Sequence, residues 1–210
     1  MKGKILTLVK NKMYEREIIN HVTILLLLAI GMAACANTPD DLWGEISPDS
    51  KSQVIEKEID GIAFKFCLLN EQRKPTANFI EGENIIFSFS LKNNLKESIS
   101  IPTYFINDDF YRIYENNNTD MGKAWTGIWC EFRYENMMIE LLPYEQKELN
   151  CPWRLSEIFQ ADYPLCKGDD MNPLPQGEYL TSLRFDLFYI VEGKQKCIKN
   201  AIFKINFRIQ

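Results

Sequence analysis

Residues 83–94 read ENIIFSFSLKNN. Ile85, Phe87, Phe89 and Leu91 fall on one face of an extended chain, and Ile86, Ser88, Ser90 and Lys92 on the other. Successive side chains of a strand point to opposite faces, so a period of two marks one greasy face and one wetter face. Asn93 and Asn94 close the run with a turn signal. The same rhythm appears upstream in IAFKFCLLN (62–70) and downstream in YLTSLRFDLFYIV (179–191) and NAIFKINFRI (200–209). The EGKQK between the last two places Gly193 in a hairpin turn. Shorter strand candidates lie at 98–105, 110–114, 128–134, 137–142 and 146–151. Only RLSEIFQADY (154–163) looks helical. Eight or nine short strands with turn residues every eight to twelve positions predict an all-β antiparallel sandwich carrying one short helix.

The N-terminal stretch is of another kind. Residues 22–36 carry no charge, but a helix needs roughly twenty apolar residues to cross a bilayer. Lys2, Lys4, Lys10, Lys12 and Arg16 precede this run against Glu15 and Glu17, a positive flank that suits a secretory signal over residues 1–34. Met13 is an alternative start. Met32-Ala33-Ala34-Cys35 resembles the lipobox of bacterial lipoproteins, with methionine where leucine is usual. That resemblance implies diacylglycerol on the Cys35 thiol and cleavage before Cys35. Two or three acyl chains hold a protein at a membrane far more firmly than one. Plain secretion with an incidental cysteine is the simpler alternative. Residues 35–52 are rich in Pro, Asp, Ser and Asn and read as an acidic flexible tether, leaving 53–210 for the sandwich. In Bacteroidota lipoproteins acidic residues soon after the cysteine accompany export to the surface, and Asp40 and Asp41 weakly resemble that signal. The expected location is the cell envelope, lipid-anchored at the outer membrane, on its periplasmic or surface face.

The chain carries a formal charge of −5; from Cys35 onward, nineteen Lys and Arg face twenty-seven Asp and Glu, a net −8. Such a surface repels phosphate backbones and argues against nucleic acid. It is also repelled by anionic headgroups, so attachment falls to the lipid. The one histidine, His21, lies in the segment predicted to be removed. Without it there is no Ser-His-Asp or Cys-His nucleophile and no imidazole metal site. No catalytic residue, metal or cofactor is expected. Asp108-Asp109 and Asp169-Asp170 are adjacent pairs that neither flank a glycosidase cleft nor match a calcium-loop spacing. They read as solvated turns.

Cys67, Cys130, Cys151, Cys166 and Cys197 form an odd set outside Cys35, so they cannot all pair. Cys151 and Cys166 enclose a short segment and are the first choice of bridge, with small buried hydrophobes as the alternative. Trp125 and Trp129 lie in TDMGKAWTGIW (119–129), with Trp125 flanked by two glycines outside any clear strand, and both are candidate ligand or partner contacts. Trp153, Tyr104, Tyr111, Tyr114, Tyr134 and Tyr144 could extend a stacking platform; equally, such aromatics fill the space between two sheets.

In LPQGEYLTSLRF (174–185), Gly177 sits at a turn and Tyr179 opens a strand, where immunoglobulin-like sandwiches often carry a tyrosine corner. With LLPYEQKEL (141–149) and GENIIFSFSLKN (82–93), this stretch resembles the BsuPI-like, immunoglobulin-like domains of Bacteroidota lipoproteins. The resemblance runs from Ile55 to Ile209 and implies an immunoglobulin-like sandwich, which says little about activity. Bacillus members of that group are described as proteinase inhibitors, but no inhibitory loop transfers to these positions. The expectation is a non-catalytic, membrane-anchored binding or accessory module with a protein or glycan partner. Its alternatives are a carbohydrate-binding module using exposed aromatics and a protease inhibitor.

Overall fold

The computed structural model describes residues 35–36, 43–126, 138–162, 164–166 and 171–210. The chain divides into two compact units, Met1–Ala36 and Asn37–Gln210. In the first, the described residues form the short strand β1 (Cys35–Ala36). The second is built from β2 (Gly44–Ile46), β3 (Ile55–Ile59), β4 (Ile62–Leu69), β5 (Asn78–Phe79), β6 (Ile86–Asn93) and β7 (Ile99–Pro102). A 3-10 turn (Thr103–Phe105) follows, then β8 (Ile113–Glu115), β9 (Asp120–Gly122), β10 (Met138–Leu141), β11 (Gln146–Pro152), β12 (Gly177–Val191) and β13 (Lys194–Ile209). Among the described residues no helix is long and apolar enough to cross a membrane.

These strands form the expected all-β sandwich. The smaller sheet is antiparallel, in the order β11-β6-β4-β3. In the larger sheet β12 pairs β13 on one side and β7 and β8 on the other, with β10 beyond β7 and β9 beyond β8. Two hairpins turn on an acidic residue followed by glycine, both at positive φ: Asp60-Gly61 (52° and 78°) and Glu192-Gly193 (50° and 71°). Glycine takes that backbone without penalty, and such two-residue turns match the twist of the strands they join.

The period of two is spent as the sequence suggests. Phe64, Phe66, Phe87, Phe89 and Leu91 of the smaller sheet face Leu183, Phe185, Phe203, Ile205 and Phe207 of the larger, all within 5 % of full burial. Phe89 meets Phe185 edge-on at 5.6 Å and Phe203 at 6.1 Å, which sews the sheets together. Aromatic pairs of this kind add about 0.5–1.5 kcal/mol each beyond the area they bury. Asn93, read above as a turn signal, is fully buried. Its side-chain amide donates to the carbonyls of Glu97 (2.7 Å), Leu141 (3.2 Å) and Leu142 (3.1 Å), tying the end of β6 to the β10–β11 turn.

Four expectations change. The larger sheet is mixed, because β2 and β5 run parallel to β13 at Phe203–Ile205 and Arg208–Ile209. The described strands of this unit number twelve, since irregular connections also contribute two- and three-residue strands. The segment read as a tether up to residue 52 supplies β2, and Trp43 packs edge-on against Phe64 and Phe203, each at 5.5 Å. The short helix expected at 154–163 is absent among its described residues. Ile158 is 79 % exposed there, so a helix would gain no apolar contact from it. Instead Asp162 exchanges hydrogen bonds with Asn150 of β11: its amide donates to the Asn150 carbonyl (2.8 Å) and its carboxylate accepts the Asn150 amide (2.9 Å). The strand expected at 128–134 lies outside the described residues.

Candidate functional site: the outer face of the larger sheet

Trp125 does not form the surface expected of it. It is 4 % exposed, its indole N–H donates to the Phe110 carbonyl, and the Lys123 ammonium sits 4.2 Å from its ring centre. Trp153 is likewise buried, with its N–H on the Asn172 carbonyl at 2.9 Å. The physical reason is area: a loop tryptophan next to a large apolar core gains more by covering it than by facing water. Trp129 lies outside the described residues. Tyr111 is buried and stacks on Phe87 (5.0 Å) and Phe66 (6.2 Å). Burial holds its phenol well above the usual range.

The acidic pair Asp108-Asp109 is exposed, but the chain satisfies it internally. Arg112 reaches Asp108 and Asp120, each at 2.7 Å, and Lys123 also holds Asp108. The Lys123 hydrogen bond is the main cause of an Asp108 carboxyl below its ordinary range. This network fastens the loop before β8 to the β8–β9 hairpin and sets Lys123 over Trp125. Asp169-Asp170 lies outside the described residues. Among the described residues no three His, Cys, Asp or Glu side chains are grouped to hold a metal ion.

Cys166 is disulfide-bonded, but not to Cys151, which is a free thiol with no exposed surface. Cys151 shares the core-facing parity of Leu149 on β11, so its sulfur is used as a small apolar group between the sheets. Burial pushes that thiol up to about 12 and the Cys67 thiol up to about 11. Thiols so protonated are poor nucleophiles. The Tyr179 hydroxyl donates to the Pro175 carbonyl at 2.8 Å, four residues upstream, while its ring stacks on Phe207 at 5.4 Å.

Exposed apolar side chains gather elsewhere, on the outer face of the larger sheet. β7 ends at Pro102, and the 3-10 turn that follows sends Thr103 and Phe105 inward and Tyr104 outward, 56 % exposed. The Tyr104 ring leans on Phe188 of β12 at 5.9 Å and 52°. Ile190, two residues on and 38 % exposed, is in register with Ser100, which faces Glu140 of β10. Ser100 donates to the Glu140 carboxylate at 2.5 Å, placing one acceptor-rich group beside the apolar cluster. Cys197, the register partner of Phe188, is buried beneath. A bulge at Asn200, whose φ is 54°, lets both Ile198 and Ala201 face the core and leaves Cys197 on the outer side. Partial burial is the first cause of a raised Tyr104 phenol, with Cys197 second. The signal for this patch was present in the sequence. The outward positions of β12 run Leu180, Ser182, Arg184, Asp186, Phe188 and Ile190, turning apolar where a solvated face should stay polar.

No family model matches the chain, and no curated protein does. A solved structural-genomics target, SoR45, superposes with a TM-score of 0.31 at 13 % identity, over 70 % of this chain and 86 % of that one.

Proposed function

We propose that the chain is a non-catalytic, lipid-anchored binding module of the cell envelope that holds a protein partner against the outer face of its larger sheet. The observation that carries this reading is the mixed patch of Tyr104, Phe188 and Ile190 beside Ser100 and Glu140. An aromatic anchor, an aliphatic neighbour and one oriented polar pair make up the usual centre of a protein–protein contact. The membrane half of the proposal rests on the Met32-Ala33-Ala34-Cys35 sequence. Acylation at Cys35 would confine the module to a surface and leave its sheet face to do the binding.

The carbohydrate alternative needs several exposed aromatics in one plane. Trp125 and Trp153 are buried, and the Tyr104 and Phe188 rings are tilted at 52°, so the described aromatics offer it little support. The inhibitor alternative needs a rigid presented loop. The Leu142–Tyr144 turn protrudes, with Leu142 63 % and Tyr144 60 % exposed, yet neither of its flanking strands carries a disulfide-bonded cysteine.

Two variants test the halves separately. Cys35→Ala should move the protein from the membrane to the soluble fraction, and continued detergent-dependent fractionation would contradict acylation. A Tyr104→Asp/Ile190→Asp double variant should stay folded and membrane-bound but lose its complex on native gels of detergent-solubilised envelopes. Retention of that complex would contradict the docking face.

A further inference from the structure

Four turns meet at one end of the sandwich: 60–61, 94–98, 142–145 and 192–193. The Asn94 amide donates to the Gly61 carbonyl (2.8 Å), buried Asn93 ties Glu97 to Leu142, and Leu141, Ile99 and Val191 lie side by side in register. Of these turns, Leu142-Pro143-Tyr144-Glu145 presents the apolar tip. The Glu145 amide donates to the Leu142 carbonyl at 3.0 Å, and the Glu145 carboxylate accepts the Leu142 amide at 2.7 Å. Tyr144 follows the proline at a φ of 65°, the third position of the turn, where glycine or asparagine is the usual choice. A bulky residue held in that backbone region carries strain. Leu142 and Tyr144 are both exposed, and among the described residues Tyr144 has no ring contact and no side-chain hydrogen bond. The chain thus keeps a braced, strained turn whose two large apolar side chains add little to its own packing.

The opposite end also exposes apolar side chains, Ile80 and Ile158, so exposure alone does not choose between the two. Chain direction does. β2 runs parallel to β13, and the Trp43 amide donates to the Ile202 carbonyl at 2.9 Å, so β2 is entered from the end that carries the four turns. Eight residues separate Trp43 from Cys35, and fully extended they span at most about 29 Å. β13 covers about 26 Å from Ile202 back to Lys194, beside the 192–193 turn. A lipid on Cys35 would therefore hold this end against the bilayer with little slack. Facing the other end down would require the chain to reverse before β2. A reversal uses about four residues, and the rest reach at most about 14 Å, short of the roughly 23 Å from Ile202 to Ile209.

We infer that the Leu142-Pro143-Tyr144 turn is a membrane foot, with Leu142 entering the bilayer interface and Tyr144 lying at headgroup level. The inference rests on the lipid anchor proposed above. Tyrosine suits that boundary because its ring is apolar while its hydroxyl stays wet. Charge is not the attraction: the four turns hold Asp60, Glu97, Glu145 and Glu192 against Lys96 and the adjoining Lys194. The contact is apolar and suits a zwitterionic lipid surface rather than an anionic one. With the strands upright on this foot, the outer face of the larger sheet stands clear of the bilayer for a partner.

The test uses the full acylated chain reconstituted in phosphatidylcholine vesicles, with the fluorescent amino acid dansylalanine at position 142, 144 or 80. Lipids spin-labelled near the headgroup should quench positions 142 and 144 at least about threefold more than position 80. Adding phosphatidylglycerol should not increase that quenching. Tyr144→Gly should leave the melting midpoint unchanged or higher, since glycine adopts this φ freely, yet lower the quenching at position 142 at least about twofold. Equal quenching at 80 and 144, none at either, or stronger quenching with phosphatidylglycerol would overturn the inference while leaving the anchor in place. So would a lower midpoint, or unaltered quenching, in Tyr144→Gly. A Cys35 shown by mass spectrometry to carry no acyl group would overturn it through its premise instead.

Discussion

On the smaller sheet, the outward side chains of β4 and β6 are Ala63, Lys65 and Cys67 beside Ser88, Ser90 and Lys92. On the larger sheet, the outward run of β12 passes from Leu180, Ser182, Arg184 and Asp186 to Phe188 and Ile190, with Tyr104 leaning on Phe188. Both sheets devote their inner faces to one aromatic core, so what separates them is written only on the outside. Cross-strand packing explains the inner faces completely. It does not explain why one outer face is small, polar and charged while the other keeps apolar rings in water.

The inner–outer contrast is the easiest to break, because neighbouring residues of β6 point opposite ways. Phe89→Ala should cost about 3–5 kcal/mol in denaturant unfolding, since it removes the ring that meets both Phe185 and Phe203. Ser90→Ala, one residue on, should stay within about 0.5 kcal/mol. Equal losses at the two positions would mean that the strand parity is wrong.

Trp125 tests whether the loop before β10 belongs to the core. Trp125→Phe strands the Phe110 carbonyl without its donor, which should cost about 1–3 kcal/mol. In a variant with Trp43, Trp129 and Trp153 replaced by Phe, the remaining Trp125 fluorescence should resist quenching by acrylamide until the protein unfolds. Tyr179→Phe removes only the hydroxyl that reaches Pro175 and keeps the ring on Phe207, so a loss of about 0.5–1.5 kcal/mol is expected.

The thiols sharpen the comparison by chemistry. Burial raises Cys67 to about 11 and Cys151 to about 12, so iodoacetamide at pH 8 should leave both unlabelled in the native protein and label both in denaturant. Cys166 should stay unlabelled even then, until a reductant is added. The smallest effect is electrostatic. Asp108 has a lowered pKa, so its contribution is present above the ordinary carboxylate range and is lost as pH falls through the folded value. Lys123→Met should flatten that acid limb slightly, in thermal melts between pH 6 and 3, while leaving stability at neutral pH little changed.

Much of this was legible in the sequence. The alternation at 83–94 and 179–191 depends only on which face is buried, and burial enforces it along the whole strand. Gly193 could be placed because a two-residue turn needs positive φ. The same local logic missed β2 and β5: their parallel pairing to β13 joins segments more than a hundred residues apart, and a two- or three-residue strand has no period to read. It also misjudged Trp125, because a tryptophan flanked by glycines looks identical whether the loop folds over the core or away from it. Cys151 reads as a bridge partner on spacing alone, whereas its place two residues from Leu149 on β11 points it inward. The Tyr104 patch needed three separate segments brought together, and only the fold supplies that.

The two outer faces can be compared directly in cells. A photo-crosslinking amino acid placed at position 104, and in a second strain at position 65, reports which face meets a protein. The account predicts one discrete protein adduct from position 104, lost with Ile190→Asp, and no protein adduct from position 65. No adduct at 104, or the same adduct from both faces, would contradict it.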